Sequence, residues 1–298
     1  MAESSRKYLD PSVLNAIAGL ELKARLIVEG FVSGMHRSPF HGFSVEFAEH
    51  REYVPGDDVR FVDWKVYGKS DRYYIKQYEE ETNLRAWLLL DCSESMEYGG
   101  GPMTKIDYAR HVGAAIAYLV TQQQDAVGLV TFDSDVRTVL PPASSAGHLR
   151  TLIRHLAEAK TRGKTSLGDV VRKAAERIGR RGVIVIVSDL LDRPESILGA
   201  IRQLRHERHE VVLFHLLDTD ERTFPFERMT RFEGLEEMPR VMADPAALRT
   251  QYLKELEGFT RAIKRGCLGN AADFVELDTA TPLDVALSTY LASRGKRR

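Results

Sequence analysis

The stretch WLLLDCSESM, residues 87–96, decides the fold, because an apolar run ends abruptly in polar residues. The run WLLL has the composition of a strand that is buried on both faces, as in parallel sheets. The residues that follow place one acid and two hydroxyls on alternate positions, Asp91, Ser93 and Ser95. We therefore expect a rigid buried strand that ends at a polar site, with the next turn folding both serines back beside Asp91.

From residue 84 onward, apolar strands alternate with amphipathic helices. The predicted strands occupy residues 84–91, two stretches joined by a tight turn within 125–142, and residues 182–192, 209–218 and 272–278. The predicted helices occupy residues 104–123, 145–159, 166–179, 194–207, 244–265 and 282–293. This alternation predicts an α/β, Rossmann-like domain with a mostly parallel sheet and helices on both faces.

Three other segments lie outside this alternation. Residues 1–34 are expected to be helical, with an Asp-Pro pair as the start signal. Residues 35–83 are rich in aromatic residues and turn signals, which predicts a small β-rich attachment built from several short strands. Residues 223–242 look like a hairpin inserted into the α/β domain of residues 84–298, and we expect this hairpin to pack with the attachment.

The composition narrows the classes of function. Lys and Arg together (42) nearly balance Asp and Glu (43), which argues against a nucleic-acid-binding protein. Neither a signal peptide nor a membrane span is apparent, so we expect a cytoplasmic protein. The chain has no G-x-x-x-x-G-K-[ST] motif, which excludes nucleotide hydrolysis by a P-loop. Cys92 has no histidine near it in the sequence and is interpreted as a small buried side chain rather than a nucleophile.

A second acid and a third hydroxyl extend the polar site. Asp189 follows the apolar run IVIVS, and Thr165 lies at the start of a predicted helix between the two acids. The carboxyl ends of parallel strands form one rim, so these side chains should meet Asp91 there. Carboxylate and hydroxyl oxygens are hard ligands suited to Mg²⁺. The alternative is that Thr165 only caps its helix and that the two serines only serve the turn.

The pattern Asp91-x-Ser93-x-Ser95, with Thr165 in GKTS and Asp189 in VSD, resembles the metal-ion-dependent adhesion site of von Willebrand factor A domains. Every position of that motif is filled. Two further stretches, residues 38–81 and 247–291, resemble the bacterial family of unknown function fifty-eight, in which such a domain follows a segment like 38–81. The resemblance covers nearly the whole chain from about residue 35.

The resemblance implies a binding protein rather than an enzyme. Ser93 and Ser95 would bind Mg²⁺ or Mn²⁺ directly, and Thr165 would bind directly or through water. Asp91 and Asp189 would act largely through water, and an Asp or Glu of a partner would complete the coordination. Members of that family are commonly paired with MoxR-type AAA+ ATPases, which implies a role in chaperone-like maturation or remodelling of client proteins.

A second function remains open at this point, a Mg²⁺-dependent phosphatase or phosphotransferase. Asp91 would accept the phosphoryl group and Asp189 would hold the ion. Haloacid-dehalogenase-like phosphatases need a second acid two residues after the nucleophile. That position is Ser93, so the general acid is missing from this chain.

Overall fold

The computed structural model describes residues 46–54, 62, 64–70, 72–79, 84–101, 103–179, 181–232, 241–283, 285–287 and 290. The expected N-terminal helix, residues 1–34, lies outside them. Of the expected last helix, residues 283, 285–287 and 290 are helical. The chain divides into two compact units, of which one is Phe40–Leu84 and the other contains Arg85–Arg298.

Strands and helices alternate through the larger unit, as predicted. The strands of the described residues are β1 (Glu46–Glu52), β2 (Tyr74–Glu79), β3 (Arg85–Asp91), β4 (Ala126–Phe132), β5 (Val136–Ala143), β6 (Val183–Ser188), β7 (Glu210–Leu217), β8 (Thr230–Phe232), β9 (Val241–Ala243) and β10 (Asp273–Asp278). The α-helices with assigned ends are α1 (Trp64–Ser70), α2 (Lys105–Gln122), α3 (Ala146–Glu158), α4 (Leu167–Ile178), α5 (Pro194–His206), α6 (Thr219–Thr223) and α7 (Pro245–Gly269).

The main sheet has six strands in the order β10-β7-β6-β3-β4-β5. Five strands are parallel, and the edge strand β5 runs antiparallel to β4. Counted from β3 as the first strand, the order is 3-2-1-4-5-6, which is a doubly wound arrangement. The predicted α/β class with a mostly parallel sheet is confirmed. Its topological switch point lies between β3 and β6, where such sheets place their ligands.

β3 lies at the centre of the sheet and is buried on both faces. Trp87 and Leu89 belong to the core cluster that contains the apolar sides of α4, α5 and α7. Leu88 points to the opposite face, where a Cβ added to Gly113 of α2 would come within 2.7 Å of its Cδ2 atom. Close packing on both faces holds β3 rigidly, and this fixes the position of Asp91 at its end.

Local capping residues set the helix ends. The Thr104 side chain accepts a hydrogen bond from Asp107 N at the start of α2, and the Asp244 side chain accepts one from Ala246 N at the start of α7. Helix α6 was not predicted, because it has only five residues. Its N-cap is Asp218, and Glu221 completes a capping box with that residue.

The smaller unit contains an antiparallel pair, β1 and β2, and the helix α1. Two of the several short strands expected in residues 35–83 are thus described, and Trp64–Ser70 between them is helical. A helical turn brings residues three apart together, and the rings of Trp64 and Tyr67 pack edge to face at 6.2 Å. The Tyr67 ring also stacks on Tyr73 at 4.4 Å, which fixes the end of α1 beside β2.

The expected insertion within residues 223–242 forms an antiparallel pair, β8 and β9. It is held on α7, because the Arg249 guanidinium donates to the carbonyl oxygens of Phe224 and Phe226 over 2.9 and 3.0 Å. The Phe224 ring also stacks on Phe232 of β8 at 5.7 Å. That this hairpin packs with the β-rich attachment stays a prediction.

Candidate metal centre

Asp91 is the last residue of β3 and is fully buried. Its Oδ1 atom accepts a hydrogen bond from Ser93 N over 2.9 Å, and its Oδ2 atom accepts one from Ser188 Oγ over 2.6 Å. Thr165 Oγ1 lies 3.2 Å from Oδ1 and 3.1 Å from Oδ2. Donors from three separate segments therefore fix the orientation of this carboxylate.

The two serines form a buried pair of hydroxyls beside Asp91. Their Oγ atoms share a hydrogen bond of 3.0 Å, in the turn that contains a short 3₁₀ helix, Glu94–Glu97. Ser93 occupies the cap position of that helix, but its side chain makes no capping hydrogen bond. Adjacent ligands of an octahedral Mg²⁺, with bonds of about 2.1 Å, lie about 3 Å apart. The spacing of the two hydroxyls therefore fits two neighbouring positions on one ion.

Thr165 lies in a loop that is tied to the serine turn. Arg162 N donates to Cys92 O over 2.9 Å, and Glu94 N donates to Gly163 O over 3.0 Å. Helix α4 has Ser166 as its N-cap, so the alternative that Thr165 caps this helix is wrong. The Thr165 hydroxyl donates to Asp91 instead, as expected if both residues belong to one site.

Asp189 follows β6 and is buried as well. Its Oδ2 atom accepts a hydrogen bond from Lys105 Nζ over 2.8 Å, whereas its buried Oδ1 atom has no hydrogen-bond partner in the described part of the chain. The next residue, Leu190, is buried with a φ of 60°, a left-handed conformation that is unfavourable for a leucine. Leu190 N donates to Ser188 Oγ over 2.9 Å, which helps to hold this strained turn.

Three residues that contact the predicted site were not predicted from the sequence: Lys105, Ser188 and Glu221. Lys105 is 1% exposed, and its Nζ atom also donates to Glu221 Oε1 over 2.7 Å. Burial acts to lower the pKa of this ammonium, but the carboxylates of Asp189 and Glu221 outweigh it, so the pKa is raised. The sequence does carry a signal for the burial of Lys105, because Lys105 shares one face of α2 with Tyr108, which is buried.

The Asp91 carboxyl is buried beside a second acid, Asp189. The pKa of Asp91 is raised to about 7, first by burial and then by the negative charge of Asp189. Hydrogen bonds from Ser188 and Ser93 oppose this rise without overcoming it. A divalent cation beside Asp91 would stabilise its ionised form, so the site residues fit Mg²⁺ or Mn²⁺ in chemistry as well as in spacing.

The centre differs from sites built on several acids or histidines. No group of three or more His, Cys, Asp or Glu side chains suited to a metal ion occurs within the described residues. The five predicted side chains are two carboxylates and three hydroxyls, and the structure brings them to one rim of the sheet. Neutral hydroxyls bind Mg²⁺ weakly and leave positions to water. The assignment of these residues as metal ligands stays a prediction.

The geometry argues against nucleophilic chemistry at this rim. Asp91 is fully buried, and both of its oxygens are held by hydrogen bonds, which does not suit a phosphoryl acceptor. Cys92 is also buried, and burial raises the pKa of its thiol to about 12, so it is not a ready thiolate.

No helix in the part of the chain that the structure describes is both long enough and apolar enough to cross a membrane.

Comparisons with known proteins find relatives of this chain in sequence and in structure. An uncharacterized protein of Mycobacterium bovis is 28% identical over 291 residues, which cover 96% of this chain and 90% of the relative. Among solved structures, the conserved hypothetical protein BatB from Bacteroides thetaiotaomicron has a TM-score of 0.49 at 16% identity, with 72% of this chain and 99% of that chain covered. The SpRpn10 VWA domain has a TM-score of 0.41 at 13% identity, with 73% and 96% covered. The family model described as "protein of unknown function DUF58" matches residues 49–258, and the chain belongs to that family.

Proposed function

We propose that this chain is a metal-dependent protein–protein interaction module that works with a MoxR-type AAA+ ATPase in chaperone-like maturation or remodelling of client proteins. The family and the fold support an interaction module. The ATPase and the client role rest on the family resemblance set out above. The observation that carries the metal dependence is the pair of buried hydroxyls, Ser93 and Ser95, 3.0 Å apart beside Asp91.

Each side chain has a distinct task in this proposal. Ser93 and Ser95 bind the ion through their hydroxyls, and Thr165 binds directly or through water. Asp91 holds the serine turn and the Thr165 hydroxyl in place through its own hydrogen bonds. Asp189 offers its unpartnered Oδ1 atom to a water molecule of the ion. The bound ion supplies a positive charge that a carboxylate of the partner can contact.

The proposal is tested by capture of a MoxR-type ATPase from the same genome on the tagged protein. Capture should occur in Mg²⁺ or Mn²⁺ and fall in excess chelator. The double variant Ser93→Ala/Ser95→Ala should fail in either ion. Ser145→Ala is the matched control, because that serine only caps α3. Equal capture by the wild type in Mg²⁺ and in chelator would show that the interface does not use the ion.

A further inference from the structure

Lys105 has an environment that is unusual for a lysine. It is 1% exposed, and its Nζ atom contacts Asp189 Oδ2 at 2.8 Å and Glu221 Oε1 at 2.7 Å. The Tyr98 ring lies on another side, with its centroid 5.8 Å from Nζ, within the range of a cation–π contact. A buried ammonium persists only where its charge is compensated, so these contacts hold it in one position.

The position of this ammonium matters for the charge of the candidate centre. Asp91 and Asp189 together carry two negative charges if both are ionised, and Lys105 neutralises one of them through Asp189. Without Lys105, Asp189 would be a buried carboxylate with no positive partner among the described residues, which is strongly destabilising. The same ammonium repels any cation that enters the rim, since a charge within several Å is weakly screened in a buried site.

We propose that Lys105 is an internal counter-ion of the centre: it occupies the charge-balancing role when no metal is present, and it weakens metal binding by the same charge. It is a positioning and affinity-setting residue rather than a ligand, because its ammonium has no lone pair to donate. The Lys105 ammonium pairs with Glu221 as well as with Asp189. The negative charge of Glu221 therefore partly offsets the repulsion between this ammonium and a cation at the centre. This inference rests on the proposed metal dependence.

The test compares Mg²⁺ and Mn²⁺ titrations of the full chain by calorimetry, together with thermal unfolding in chelator. Lys105→Met keeps the length of the side chain and removes its charge. This variant should unfold at a lower temperature in chelator, bind Mg²⁺ at least about 10-fold more tightly, and gain more thermal stability from Mg²⁺ than the wild type. Unchanged or weaker Mg²⁺ binding by a folded Lys105→Met protein would overturn the proposal.

A second pair of variants gives a result even if Lys105→Met does not fold. Glu221→Gln removes an acid that contacts Lys105, whereas Asp220→Asn removes the neighbouring acid of the same helix. Glu221→Gln should weaken Mg²⁺ binding by at least about 3-fold more than Asp220→Asn. Equal effects of the two variants would count against a role for the ammonium.

The outcomes also separate this inference from the proposed function. If the wild type binds Mg²⁺ and Ser93→Ala/Ser95→Ala does not, the centre is a metal site, and the Lys105 and Glu221 variants then decide the inference alone. If the wild type shows no binding but Lys105→Met does, the inference is supported and the affinity of the native site is low. If neither binds an ion, both the proposed function and the inference fail.

Discussion

Ser188 donates a hydrogen bond to Asp91 over 2.6 Å, and this bond joins the last residue of β6 to the last residue of β3. Both side chains are fully buried, and Ser188 Oγ also accepts a hydrogen bond from Leu190 N. The Ser188 hydroxyl therefore supports both the Asp91 carboxylate and the strained turn at Leu190. This bond crosses the switch point of the sheet, where the candidate metal centre lies.

We predict that Ser188→Ala lowers the free energy of unfolding by about 1–3 kcal/mol, because it leaves a buried carboxylate oxygen and a buried N–H without this partner. Chemical denaturation measures the change. Ser134→Ala, at an exposed turn between β4 and β5, should have little effect. A Ser188→Ala protein as stable as the wild type would show that the two strand ends are held by other contacts.

Removal of the candidate ligands should abolish ion uptake. We expect weak Mg²⁺ binding by the wild type and none by Asp91→Ala/Ser93→Ala, because the ion would lose a direct ligand and the carboxylate that orients the turn. Calorimetric titration measures binding, and Ser166→Ala is the control, since that hydroxyl contacts Asp169 instead. Equal uptake by the wild type and the double variant would refute the assignment.

Thr165→Val should weaken binding to the ATPase without unfolding the protein, because Thr165 lies in a rim loop. A cost of about 2–5 kcal/mol is expected if the metal bridge is central, because loss of the ion leaves the carboxylate of the partner without its charge partner. Affinity is measured with purified partners at fixed Mg²⁺ and salt, and Ser166→Ala should remain close to the wild type. Tight binding by Thr165→Val would place the main contact elsewhere on the surface.

Replacement of two glycines by alanine should change the free energy of unfolding in opposite directions. A Cβ at Gly182, just before β6, would lie 2.3 Å from Arg85 O, and a backbone oxygen inside the sheet cannot easily move. Gly182→Ala should therefore destabilise the protein by about 1–3 kcal/mol. Gly199 lies within α5 with open space around its Cα, so Gly199→Ala should stabilise it by about 0.5–1 kcal/mol. Urea denaturation of both variants measures the two changes in the free energy of unfolding, which should have opposite signs.

His209 should make stability fall in mild acid. Burial lowers the pKa of His209 below its usual value of 6.5, and its neutral Nδ1 atom accepts a hydrogen bond from Gly182 N. The unfolded chain then takes up the proton more readily, so the stabilising contribution is complete above pH 6.5 and is lost as the pH falls below it. His209 alone should contribute at most about 1.4 kcal/mol per pH unit to the slope of stability against pH.

Denaturation at a series of pH values measures this slope. His209→Asn keeps an acceptor but cannot take up a proton, so its slope between pH 7 and 5 should be smaller than that of the wild type, by up to about 1.4 kcal/mol per pH unit. His206→Asn, at the exposed end of α5, is the matched control. The same slope in His209→Asn and the wild type would contradict the prediction.

The sequence predicted the sheet because its strands are aliphatic runs that only a doubly covered sheet can bury, as in IVIVS before Asp189. It also predicted that five polar side chains meet, since the ends of parallel strands share one rim. Lys105 was missed because a lysine at the start of a helix is usually exposed. Glu221 was missed because its short helix has no apolar period, and α1 was missed because aromatic residues favour strands.

The contacts that build the centre join residues far apart along the chain. Asp91 meets Thr165 and Ser188 across 74 and 97 residues, and Lys105 meets Glu221 across 116. Closing such long loops is slow and costs chain entropy. During synthesis, the buried ammonium cannot have both partners until Glu221 has left the ribosome. A nascent chain can therefore expose all five candidate ligands before both acids hold the ammonium, so the charge balance of the centre is set only after residue 221 has joined the fold.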